Sequence, residues 1–153
     1  MGKSEKFLEG IKFPCFIESA KFYIDKEQHR KVKVVIVVRV DESVQKALPH
    51  NVAQVTMDMV TNKLEEVVFS TEWEERLVEI YASETKPTPA IVAEDVAIKS
   101  AKALCDVETG AVTLKFSFIG DDKIIGDWIH HNYGKDVFIN VLAMQGELTG
   151  LES

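Results

Sequence analysis

Asp127 and His131 stand four residues apart, a spacing that places a carboxylate and an imidazole on one face of a helix. With His50 brought in from elsewhere they would hold a divalent cation, and the chemistry would be that of a metal-dependent hydrolase. The donor set is thin. A closed zinc site takes four ligands. His130 and His131 are adjacent and cannot point the same way, and two imidazoles in a last helical turn are accounted for by the negative end of the helix dipole. Two carboxylate pairs, Asp106 with Glu108 and Asp121 with Asp122, have the proximity for acid–base work or for a cation. Their positions, one flanking a turn and one opening a helix, give them structural reasons to be there.

A second chemistry is charge. His29, Arg30, Lys31, Lys33 and Arg39 follow Lys26 in a short stretch that reads as a hairpin, and such a cationic finger would contact phosphate. Aromatic residues do not interleave with these cations as stacking platforms require, although Phe22 and Tyr23 lie just upstream. The opposite charge gathers further on. Glu72, Glu75 and Glu79, among other glutamates, fall at helical spacing beside Trp73. Together with Trp128 this stretch would anchor a protein partner or a second copy of the chain, or imitate a nucleic acid in a basic groove.

Catalytic signatures are otherwise lacking. The chain has no glycine-rich phosphate loop, no G-x-S-x-G, no H-E-x-x-H and no C-x-x-C. No cofactor is expected. The function expected first is therefore a non-catalytic interaction module that self-associates or docks on a macromolecular partner. A nucleic-acid accessory factor is the alternative, and a metal-dependent hydrolase stands third.

Bulk properties bound these readings. The chain has 153 residues and a net charge of −7, unevenly spread. Residues 1–50 carry 10 basic against 7 acidic residues, residues 51–100 carry 4 against 10, and residues 101–153 carry 4 against 8. An acidic whole disfavours indiscriminate nucleic-acid binding, but the basic first third leaves room for a local patch. The longest apolar run, Val34 to Val38, is strand-length, so no membrane partner is expected. The first 13 residues lack the apolar core of a secretory signal. The two cysteines, Cys15 and Cys105, form no disulfide or zinc framework. A cytoplasmic location is expected.

The elements that would position these groups read as a unit used twice. Ser19-Ala20-Lys21 aligns with Ser100-Ala101-Lys102, Asp25 with Asp106, Lys33 with Lys115, and His50-Asn51 with His131-Asn132. Each copy reads strand, turn, strand, short helix, strand. The expected fold is α+β in one domain spanning 1–153. Pseudo-repeat one covers 14–60, a connecting strand and helix cover 61–90, and pseudo-repeat two covers 91–146. The mainly antiparallel sheets of the two copies would pack as a sandwich or a barrel-like body.

Within copy one, strands are expected at Phe13–Tyr23, Val32–Val40 and Val52–Val60, with a helix at Asp41–Leu48. The middle strand is expected to be central, because its apolar residues occupy both faces. In the connection, Thr71 and Glu74 read as a capping box opening a helix to about Ala82. In copy two, strands are expected at Val96–Asp106, Val112–Ile119 and Asp136–Met144, and a helix capped by Asp121 or Asp122. The stretches 1–12 and 145–153 read as polar ends.

Overall fold

Alternation of side chains builds most of this molecule. The computed structural model describes residues 12–70 and 72–143. In β1 (Phe13–Ile24) as far as Ile17, and along β2 (Arg30–Val40), every second residue is apolar and turned inward, with Ile17, Val32, Val34, Ile36 and Val38 fully buried; a break in the β1 register between Ile17 and Ser19 then shifts the alternation. A tight turn joins the two strands. The Asp25 Oδ1 atom accepts hydrogen bonds from the backbone N–H groups of Glu27 (3.0 Å) and His29 (2.8 Å), which fixes the reversal. β2 pairs with β1 on one side and with β6 (Ala111–Asp121) on the other, so it is a central strand as its two apolar faces require. Asp41 then caps α1 (Glu42–Ala47), its carboxylate accepting from the Val44 N–H at 2.8 Å.

The next two elements exchange the expected types. Residues 50–62 form helix α2 (His50–Asn62), not a strand. Val52, Thr56 and Met59 recur at helical spacing and are the residues buried against the body, a period that outweighs the β-propensity of the valines. After the short β3 (Glu66–Val68), residues 73–81 form strand β4 (Trp73–Tyr81), not a helix. Arg76, Val78 and Ile80 alternate inward, and β-branched and aromatic residues dominate its second half. The glutamates had suggested a helical stripe. The Thr71 half of the expected capping box lies outside the described residues, as do 1–11, the tail from 145 onward and Met144 of the last strand. Glu75 takes a left-handed φ of 56° at a break in the β4–β5 register. This bulge lets Trp73 and Arg76, three apart, both face inward.

β5 (Ile91–Asp106) and β6 form a second hairpin through a turn in which Gly110 adopts φ 78°, open to glycine without cost. A π turn (Asp122–Gly126), α3 (Asp127–Asn132) and β7 (Asp136–Ala143) complete the chain, with Asp121 accepting from the Lys123 N–H to open the turn. The fold is therefore α+β and mainly antiparallel.

Among the described residues all strands belong to one seven-stranded sheet of order β3-β5-β4-β7-β1-β2-β6. Two stacked sheets, as a sandwich would need, are not formed. The sheet curls so that β6 also pairs with β5, but only from Lys99–Ser117 to Asp106–Ala111. Residues 91–98 of β5 pair with β4 alone and residues 118–121 of β6 with β2 alone. The result is a bent sheet with an open seam rather than a barrel. Asp95 and Ser100, both at φ 55°, bracket the point where β5 turns away. The core is one cluster on the inner face of the sheet, in which Phe116, Phe118, Ile36 and Ile80 are buried together with Val44, Leu48, Val52 and Met59 from the helices. Among the described residues no helix is long and apolar enough to cross a membrane.

Candidate functional site

The convex face of the β1–β2–β6–β5 region carries the cations. Each hairpin turn sets a register, and the registers place lysines opposite lysines: Lys21 faces Lys33 across β1–β2, and Lys102 faces Lys115 across β5–β6. Directly opposed like charges destabilise a sheet. The two pairs are handled differently. Lys102 is neutralised by Glu66 at 3.3 Å and Lys115 by Glu18 at 2.8 Å. Among the described residues Lys21 and Lys33 form no ion pair with a carboxylate.

The cross-strand rows extend this face. The row Ser19–Val35–Ser117–Lys99 lies beside the row Lys21–Lys33–Ile119, and Lys31 faces Asp121 one step beyond. The open seam adds depth. Where β5 leaves β6, a cleft of about 270 Å³ is lined by Lys33, Lys99, Ser100 and Ser117. Ser117 is buried and its hydroxyl donates to the Lys99 carbonyl at 3.3 Å, which fixes the mouth of the cleft. A contiguous cleft of about 460 Å³, sharing Asp95, Val96 and Ile119 with the first, takes Lys31 into its wall together with the carboxylates Glu94 and Asp121. Two lysines in one small recess, with the Ser100 hydroxyl beside them, can receive a phosphate group, although the Asp95 carboxylate shares the lining.

The basic residues singled out from the sequence separate into distinct settings. Lys31 and Lys33 lie on this face. Arg39 is on the same face at its far end, over the Phe16 ring at 4.8 Å. Arg30 projects to the opposite side of β2 and is held by Asp122 at 3.1 Å. His29 sits in the turn, 3.6 Å from the Asp25 carboxylate. Lys21 and Lys99 were missed. Lys21 lay upstream of the basic run, and Lys99 lay in an acidic third of the chain. Lys21 was within reach, since it and Lys33 are equidistant from the centre of the Asp25–His29 turn.

The other groups are not assembled. Among the described residues the one trio of potential metal ligands within 4.8 Å of one another is Asp25, Glu27 and His29. His50, Asp127 and His131 are not brought together. His50 opens α2 in an exposed position, while the His131 Nδ1 atom meets the Asp127 carbonyl oxygen at 2.9 Å and its carboxylate at 3.6 Å. The Asp25 carboxyl is held below the usual carboxylate range first by the His29 N–H; desolvation opposes this, and the His29 charge, the Glu27 N–H and the Lys31 charge add smaller lowering contributions. That carboxylate closes the turn, which explains the trio without a metal.

Trp73 is 3% exposed and belongs to the core, and Trp128 is half-buried against it. Glu72, Glu75 and Glu79 lie on or beside a strand, and Glu79 accepts a hydrogen bond from the Tyr81 hydroxyl at 2.9 Å. Of the carboxylate pairs, Asp106 closes the β5–β6 turn by accepting from the Glu108 N–H at 3.0 Å, and Asp121 caps the π turn.

Neither a family model, nor a curated protein, nor a solved structure matches this chain.

Proposed function

We propose that this protein is a non-catalytic module that binds single-stranded nucleic acid along the convex face of β1, β2, β6 and β5. The observation that carries this reading is the opposed pair Lys21–Lys33, without a carboxylate partner among the described residues, above a cleft that Lys33 shares with Lys99. A sheet that keeps like charges face to face holds them for a ligand that supplies the opposite charge.

The aligned lysines of the proposed pseudo-repeats support it further. Lys33 and Lys115 each lie two residues before the Val35–Ser117 pair on their own antiparallel strands. The two lysine pairs therefore flank that central row from opposite ends, and among the described residues only the second is paired with carboxylates. The net charge of −7 confines a polyanion to this face by repelling it elsewhere.

Docking on a protein through Trp73 and Trp128 has less support, because the first is enclosed in the core and the second packs against it.

Fluorescence anisotropy with a labelled mixed-sequence single strand at low salt tests the proposal. Binding that weakens with added salt, and is lost when Lys21, Lys33 and Lys99 are all replaced by glutamate with the far-UV spectrum unchanged, is the expected result. An absence of binding by the unaltered protein at low salt overturns it.

A further inference from the structure

Phe22 lies on the inner side of β1, opposite the fully buried Val32, yet it is 43% exposed. The reason is topological. β1 pairs with β7 only through Phe13–Phe16, so its second half is faced by the π turn and α3 instead of by a strand. The space left is a cleft of about 460 Å³ lined by Phe22, Arg30, Lys123, Gly126 and His130 among others.

The construction of this cleft is specific. The His130 ring stands edge-on to Phe22, with centroids 6.2 Å apart at 70°, so the two rings form a floor and a wall. Arg30 is held at the rim by Asp122. A side chain at Gly126 would displace the Asp122 carboxylate and press on the Phe22 ring, so glycine there lets the turn pack closely on both. The segment that supplies Asp122 and Gly126 is a π turn, an uncommon geometry that recurs at functional sites. Asp127, the second carboxylate at this cleft, points to His131.

This recess adjoins the basic face. Lys31 and Arg30 are consecutive on β2, so one side chain enters the seam cleft and the other this one. Asp121 and Asp122 divide between the two clefts in the same way.

We infer that this cleft is a stacking site for one unpaired base. A strand held by its phosphates on the lysine face passes over the end of β2, turns a base onto Phe22, and keeps the adjoining phosphate near Lys123, since Arg30 is already paired with Asp122. The inference rests on the nucleic-acid reading and sharpens it: the ligand must be single-stranded, because a base in a duplex has no free face to offer.

Three probes of equal length separate the parts: a single strand with bases, the same strand with abasic sites, and its duplex. The expected result is that the single strand binds about tenfold more tightly than the abasic strand, the range of one base–aromatic stack. Phe22→Leu should erase that difference while leaving abasic binding unchanged, and Phe22→Trp should preserve it. Equal binding of base-bearing and abasic strands by the unaltered protein overturns the stacking site while the lysine face stands. Equal or tighter binding of the duplex also overturns it. Failure of every probe to bind ends both readings together. Thermal unfolding of each variant shows whether its fold is intact. Should Phe22→Leu be unfolded, quenching of a 2-aminopurine base by the unaltered protein decides, and unquenched fluorescence on binding overturns the site.

Discussion

Lys21 and Lys33 face each other across the β1–β2 hairpin, and neither has a carboxylate partner among the described residues. The equivalent contact in the β5–β6 hairpin, Lys102 with Lys115, is relieved on both sides by Glu66 and Glu18. The contrast separates a structural solution from one that has been left unmade. Relieving the first pair should therefore raise stability and lower binding together. Lys33→Glu converts a repulsive cross-strand pair into an attractive one and should gain up to about 1 kcal/mol in urea unfolding. The same variant should weaken binding of a single-stranded oligonucleotide. A loss of stability, or unchanged binding, contradicts this account of the pair.

Salt dependence counts the contacts. If Lys21, Lys31, Lys33 and Lys99 each neutralise one phosphate, the logarithm of the binding constant should fall against the logarithm of salt concentration with a slope of about −3, taking about 0.7 per phosphate on a single strand. Replacing any one of them by glutamine should make the slope shallower by about 0.7. Replacing Lys115, which Glu18 already holds at 2.8 Å, should change it less. Equal effects at Lys33 and Lys115 would mean that the ion pairs do not partition the face.

Trp73 is a core residue on β4, 3% exposed and in edge contact with Phe69 at 6.0 Å between centroids. Trp73→Ala should cost about 3–5 kcal/mol, the range for emptying an aromatic site in a packed interior. Chemical denaturation would show this as a lower midpoint. A stable variant that merely loses a binding partner would instead return Trp73 to the surface as a docking anchor.

How far the sequence discloses this molecule depends on whether a feature is local. Turn chemistry is local: Asp25 and Gly110 mark the two hairpins, each turn fixes its register, and the opposition of Lys21 with Lys33 follows by counting outward from the turn. Asp41 likewise announces α1. Residues 52–60 and 73–81 were harder because each supports two periods. Val55, Met57 and Met59 alternate like a strand, but burial selects Val52, Thr56 and Met59, and only the surface offered by β3 and β5 makes that selection. Glu72, Glu75 and Glu79 imitate a helical stripe because the bulge at Glu75 shifts the alternation by one residue. The seam is the least legible feature. It arises where Asp95 and Ser100 adopt left-handed backbone without being glycine, and where β5 changes partner from β4 to β6. No local pattern encodes a change of partner between strands distant in sequence.

Cys15 gives a prediction in pH. It lies on β1 opposite Val137, and burial, with a smaller contribution from the nearby Asp136 carboxylate, pushes its thiol far above the usual range. In the unfolded chain the thiol ionises near about 8.5. Below that value both states hold the proton, and the protonated thiol's contribution to stability is fully present. Above it the unfolded state releases the proton while the folded state retains it, so stability falls as pH rises, by about 1.4 kcal/mol per unit from this one group. The Tyr81 phenol, raised by desolvation and by Glu79, acts with the same sign as tyrosines begin to ionise. The comparison that isolates Cys15 is therefore between the unaltered protein and Cys15→Ala. Urea unfolding followed from neutral to alkaline pH should show a shallower decline for the variant, and the folded protein should resist thiol reagents at this position until it unfolds. Parallel declines would mean that the Cys15 thiol is open to ionisation in the folded state, and that the contact of β1 with β7 around it is looser than the described packing.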